Sequence, residues 1–176
     1  STNSVIAKVR DRYIQDMANE KDPKLISALN LIKNWNLSAD SSNTAAALAI
    51  IVLPNAFNED NLKYETDAIT SKLVESIDYL ENKFGRLDVP LGEVLRLIRG
   101  ETNLPLSGGP DLIRAIYFKK KNDTYVGIAG DCYFQAVEWG PNGELNAWTI
   151  HQYGSATAIE SSIHYDDQAK LFSKHE

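Results

Sequence analysis

Four groups of side chains in this sequence are of the types that reactions need, and their neighbours decide what each can do. Ser1, with an α-amine beside its hydroxyl, has the make-up of an N-terminal nucleophile, in which the amine takes the proton of its own side chain. That arrangement needs a serine that opens a buried strand, whereas Thr2, Asn3 and Ser4 are polar and lead into helical spacing. Ser1 therefore reads as a boundary residue. Cys132, beside Asp131 and upstream of His151 and His164, supplies the members of a thiol–imidazole pair. Strand alternation puts Cys132, Phe134, Ala136 and Glu138 on one face and Tyr133, Gln135, Val137 and Trp139 on the other. The expectation is a cysteine used as a small buried hydrophobe. His164-Tyr165-Asp166-Asp167 brings three metal-ligating side chains together, but adjacent carboxylates cannot both enter one site without a bend. A helix N-cap at Asp166 or Asp167, leading into Gln168 to Phe172, is the stronger reading. Gly108-Gly109 lacks the following Lys-Ser/Thr of a phosphate cradle and reads as a turn. No catalytic residue, metal ligand or cofactor site is assigned within the chain, and its substrate-binding residues stay unassigned.

The elements that would position these residues change character along the chain. Val5, Ile6, Val9, Tyr13, Ile14 and Met17 recur at helical spacing, and Asp22-Pro23 opens a second stripe through Leu25, Ala28, Leu29 and Ile32. Ser41, Ser42 and Asn43 precede an Ala/Leu/Ile-rich segment running to Pro54, apolar on nearly all sides, as a helix enclosed by others is. A longer amphipathic helix carries Ile69, Leu73, Ile77, Leu80 and Phe84 and stops at Gly85. Pro90 opens a short helix through Val94, Leu95 and Ile98, ended by Gly100. After Gly108-Gly109-Pro110 come β-rich runs: Ile113 to Lys119 and Thr124 to Ile128 around Lys-Lys-Asn-Asp, then Tyr133 to Trp139 and Leu145 to His151 around Gly140-Pro141-Asn142-Gly143. These are expected to pair antiparallel. Helices followed by strands, with no βαβ alternation, predict an α+β fold: a helical segment over 1–104, then an antiparallel sheet segment with a short C-terminal helix over 105–176.

Bulk properties exclude several partners. The 176 residues carry 18 Lys+Arg against 24 Asp+Glu, a formal charge of −6, with no basic stripe to neutralise a phosphate backbone. Neither nucleic acid nor membrane is an expected partner: the longest apolar run, Ala45 to Leu53, is far short of the ~20 residues of a membrane span. No charged-then-apolar leader opens the sequence. The single cysteine excludes an internal disulfide.

One set of strings is more specific. Pro-Leu-Gly-Glu-Val-Leu-Arg-Leu-Ile-Arg-Gly (Pro90 to Gly100), Leu-Pro-Leu-Ser-Gly-Gly-Pro-Asp (Leu104 to Asp111), Gly-Asp-Cys-Tyr (Gly130 to Tyr133), Tyr153-Gly154, His-Tyr-Asp-Asp-Gln (His164 to Gln168) and Leu-Phe-Ser (Leu171 to Ser173) together resemble the penicillin acylase family. Their order is similar to the end of that family's β chain, within the aculeacin and acyl-homoserine-lactone acylase branch. Leu31 to Ala47, with Trp35 and Asp40, is similar to the helical stretch before those motifs.

The resemblance implies a fragment of an αββα N-terminal-nucleophile amidohydrolase, cut by its own precursor into α and β chains. It places the nucleophilic serine upstream, so Ser1 does not match it. It implies that the rest of the β chain and the α chain are partners, that the parent is periplasmic or secreted, and that the isolated piece self-associates. The sequence departs from the family at Gly154 to Ile159 and at Cys132, where serine is usual. Neither Glu138 nor Glu144 aligns with the late β-chain glutamate that assists the nucleophile in some cephalosporin acylases. The competing expectation is a self-contained, non-catalytic α+β binding domain.

Overall fold

The computed structural model describes residues 4–56, 64–110, 112, 114–156, 158 and 163–174. Ser1, Asp111 and Ile113 lie outside the described residues. Helix α1 (Ser4–Asp16) buries Ile6, Val9 and Tyr13, one stripe at helical spacing. Helix α2 (Pro23–Lys33) starts where Asp22 accepts the Lys24 backbone N–H at 2.8 Å and buries Ala28, Leu29 and Ile32. Asn43 accepts from the backbone N–H groups of Ala45 and Ala46 at 3.0 and 3.1 Å, so it caps α3 (Ala46–Val52). Every residue of α3 is buried, and the chain continues through a 3-10 turn, Leu53–Ala56. Helix α4 (Thr66–Phe84) packs Ile69, Leu73, Ile77 and Leu80 inward and ends at Gly85, left-handed at φ +71°. The all-apolar α3 is thus the centre of the helical layer.

The expected helix from Pro90 to Ile98 is a correction. A single turn, α5 (Leu91–Val94), gives way to strand β1 (Leu95–Arg99), which pairs antiparallel with β2 (Thr102–Pro105). Val94, Leu95 and Ile98 fit helical spacing, but Leu95 and Leu97 also alternate with Arg96, and it is the alternation that the core reads. The guanidinium of Arg96 donates to Gly92 O, Asn103 Oδ1 and Asn103 O at 2.6, 2.7 and 2.9 Å, tying the turn to the strand pair.

Strands β3 (Ile116–Lys121) and β4 (Thr124–Gly130) complete a four-stranded sheet in the order β2-β1-β4-β3. The β1–β4 pairing is parallel, so the sheet is mixed rather than wholly antiparallel, and it draws strands from both sides of residue 104. Asn122 and Asp123 both have positive φ, +45° and +63°, the mark of a two-residue primed turn between β3 and β4. Tyr79 of α4 meets Tyr125 edge-on at 5.3 Å, and Tyr125 meets Phe118 at 5.6 Å, so the helical layer seats on the sheet through aromatic rings. The helices-then-strands, α+β reading holds.

Strands β5 (Tyr133–Trp139) and β6 (Leu145–His151) form a separate two-stranded ribbon. Its turn closes by Gly140 N–H to Glu144 O at 2.8 Å and Gly143 N–H to Gly140 O at 3.0 Å, with Gly143 at φ +86°. Nothing lies within 4 Å of where a side chain at Gly143 would begin, so only the backbone opposes substitution. Gly143→Val is expected to cost about 1–2 kcal/mol, read as a thermal midpoint lowered by several degrees; an unchanged midpoint would count against this turn. Helix α6 (Ala169–Lys174) returns to the sheet, burying Ala169 and Phe172.

Candidate functional site

The separated strings that carry the family resemblance meet around β1, β2 and α6. Arg99, at the end of β1, lies between two rings, 4.7 Å from Tyr153 and 4.0 Å from Tyr165, and donates to Ala156 O at 2.7 Å. Thr102 of β2 hydrogen-bonds Asp166, and Gln168 N–H donates to Tyr153 O at 2.7 Å. The Gln168 side-chain oxygen accepts from His151 N–H at 2.7 Å. Ser173 donates to Pro105 O at 2.6 Å, which fixes α6 against β2. Gly154 passes so close to the His164 carbonyl and the Asp167 carboxylate that no side chain fits there. These groups hold residues 151–156 and 163–168 against β1 and β2.

A second focus is Arg114, 8% exposed, whose guanidinium donates to Phe172 O at 2.5 Å and sits 4.5 Å from the Phe172 ring. Burial pulls its pKa down to about 10, with the charge of Asp131 opposing. Among the described residues its Nε has no hydrogen-bond partner. Asp131 is held by Ala115 N–H to its carboxylate at 3.0 Å and by its own N–H to Ala115 O at 2.8 Å.

The candidates from sequence are not assembled into a reactive pair. Cys132 is exposed, contrary to the buried hydrophobe expected, because strand alternation says which residues share a face and not whether that face is covered. Among the described residues no hydrogen bond joins its thiol to His151 or His164; His151 instead meets the Tyr133 ring edge-on at 5.1 Å. Asp166 and Asp167 do not cap α6: their carboxylates go to Thr102 and, at 2.8 Å, to His164 Nδ1, and the helix begins only at Ala169. Gly108 is a turn residue at φ +104°, pressed against Arg114 O. Glu138 lies exposed on β5, and the Glu144 carboxylate accepts from its own backbone N–H and from Asn142 within its turn, which lowers its pKa. Among the described residues no group of three or more His, Cys, Asp and Glu side chains is placed to hold a metal, and no helix is long and apolar enough to cross a membrane.

Sequence reasoning passed over Arg99, Thr102 and Arg114. The available signal was an arginine in each of two apolar strings, Leu97-Ile98-Arg99 and Arg114-Ala115-Ile116, where a charge needs a partner. What the arrangement does chemically is hold backbone: Arg99, Arg114, Gln168 and Ser173 each bond a main-chain group. No curated protein matches this sequence. The family model for penicillin amidase matches residues 1–176, the whole of the chain. The chain therefore belongs to the penicillin amidase family of amide-hydrolysing acylases.

Proposed function

We propose that residues 1–176 are the C-terminal part of the β chain of an acylase of the aculeacin and acyl-homoserine-lactone branch. The parent hydrolyses the amide of N-acyl compounds: acyl-homoserine lactones, lipopeptides or β-lactam amides. The nucleophilic serine lies elsewhere in the parent, and this piece supports it through sheet and helices. The observation that carries this reading is the use of the family-like residues. Arg99, Tyr153, Asp166, Gln168 and Ser173 bind one another, Thr102 and the backbone, and none is left as a nucleophile beside a base. The rest of the β chain and the α chain are the partners in this reading, and the compartment is periplasmic or secreted.

Amide hydrolysis through an acyl-enzyme needs a hydroxyl and a base to take its proton, and binding contacts do not replace that step. The purified 176-residue chain is accordingly expected to turn over neither a chromogenic amide nor long-chain acyl-homoserine lactones. Turnover that vanishes in Ser1→Ala would overturn the assignment. The second reading, a self-contained non-catalytic domain, is favoured by one observation: α1, α2, α3 and α4 bury a continuous apolar core against the sheet. The intact mass of the native gene product separates the two. A mass near 19.6 kDa, that of the chain itself, supports the self-contained domain.

A further inference from the structure

The tip of the β5–β6 ribbon carries the one Asn-Gly pair in the sequence, Asn142-Gly143, and both residues are exposed. An asparagine ahead of a glycine is open to attack by its own backbone. The nitrogen of the next residue bonds to the side-chain Cγ, and glycine, without a Cβ, neither shields that nitrogen nor resists the backbone rotation that closing a ring requires. Nothing lies within 4 Å of where a side chain at Gly143 would begin, so no neighbour blocks the ring from outside. The turn's own hydrogen bonds oppose it. Gly143 N–H donates to Gly140 O at 3.0 Å, which engages the proton that must leave before the nitrogen attacks. The Glu144 carboxylate accepts from Asn142 N–H and from Asn142 Nδ2, both at 3.2 Å, and so holds the amide in place. Its negative charge also disfavours the anion that forms when Gly143 N loses its proton. Asn122, in the turn between β3 and β4, is exposed too, but the side chain of Asp123 crowds the following nitrogen. Asp123 O also accepts from Tyr79 and Lys83, which ties that turn to α4.

We propose that Asn142 is a site of self-modification, deamidation through a cyclic imide, and that Glu144 is its brake. When the turn opens, Gly143 N gives its proton to solvent and bonds to Asn142 Cγ. The Cγ–Nδ2 bond breaks, and the amide nitrogen takes a proton from solvent and leaves as ammonia. Water then adds to one of the two ring carbonyls and opens the ring. The product is aspartate or, where the main chain now runs through the side-chain carbon, isoaspartate. Either one puts a carboxylate where Glu144 now holds an amide, so the turn loses a hydrogen bond and gains a repulsion. The change is covalent, and refolding does not reverse it. The proposal goes beyond the acylase reading and stands or falls without it.

Ageing the full 176-residue chain at neutral pH, in buffer and in guanidinium chloride, tests it. Peptide mapping by mass spectrometry locates the change, and labelling by an isoaspartate methyltransferase reports the isoaspartyl form. The expected result is modification at Asn142 ahead of Asn122, several-fold faster in guanidinium chloride than in buffer. Glu144→Gln keeps the length of the side chain and removes its charge. That variant is expected to age several-fold faster than the unaltered chain in buffer, and at the same rate in guanidinium chloride, where there is no turn to hold. The comparison of buffer with denaturant on the unaltered chain needs no variant to fold. Modification of Asn122 first would overturn the proposal, as would equal rates for the unaltered chain in the two solvents. So would a Glu144→Gln chain that ages no faster in buffer, or one that is faster by the same factor in both.

Discussion

Gly130→Ala is expected to destabilise the chain by about 3 kcal/mol or more, since it combines overpacking with a backbone conformation that L-residues avoid. Gly130 sits at φ +124°, and an added Cβ would run into the carbonyl of Ala115. That carbonyl cannot move aside at little cost. It accepts the Asp131 N–H at 2.8 Å, while the Ala115 N–H donates to the Asp131 carboxylate, and Gly130 itself pairs with Ile116 at the end of the β3–β4 ladder. Relief would therefore disturb Asp131, whose charge favours the protonated form of the buried Arg114. The measurement is the thermal midpoint beside that of Gly143→Val, where positive φ is the sole obstacle. Gly130→Ala should fall further by several degrees, and equal losses in the two variants would refute the contact argument.

Alkaline pH should weaken the fold steeply. Tyr13, Tyr79 and Tyr125 are buried, and desolvation raises the pKa of all three phenols above the ordinary value of 10. Above pH 10 the unfolded chain releases these protons while the folded chain keeps them, so the folded state binds more protons and stability falls as pH rises. Each tyrosine contributes up to about 1.4 kcal/mol per pH unit once its unfolded form is ionised. Arg114 works in the opposite direction: with a folded pKa of about 10 it loses its proton more easily in the folded state, and that costs stability below pH 10 and is relieved above it. The raised phenols outnumber the one lowered guanidinium, so stability falls on balance as pH rises above 10. Urea denaturation at a series of pH values from 9 to 11 reads the slope, and Tyr79→Phe should make it shallower. A stability independent of pH across that range would show that these phenols ionise as readily in the folded chain.

Local chemistry explains which parts of this architecture were legible in the sequence. Asn43 capping α3, Asp22-Pro23 opening α2, Gly85 closing α4 and the Gly140–Gly143 turn each act within a few residues of themselves, so residue type and order suffice. Leu95 to Arg99 was not legible, because its apolar residues satisfy helix and strand spacing alike and partners in β2 and β4 decide between them. The parallel β1–β4 contact leaves no local mark either. At the candidate site the strings were recognisable, but their mutual use was not: Arg99 reaches Tyr153 and Tyr165, and Thr102 reaches Asp166, across long stretches of chain. Cys132 shows the same limit, since exposure depends on what else lies over the ribbon.

The seating of α6 on β2 bears on how the molecule is made. Ser173 bonds Pro105 O across 68 residues of sequence, and Phe172 supplies the ring beneath the buried Arg114. While the chain is being synthesised, α3, α4 and the first two strands emerge long before the segment that covers one side of them. Until residues 169–173 arrive, the apolar surface around Leu106 and Ile116 and the charge of Arg114 are bare, so this half of the core closes only once that segment has been made. A nascent chain halted before Ala169 would present that surface to chaperones, whereas one halted a few residues beyond Ser173 would not.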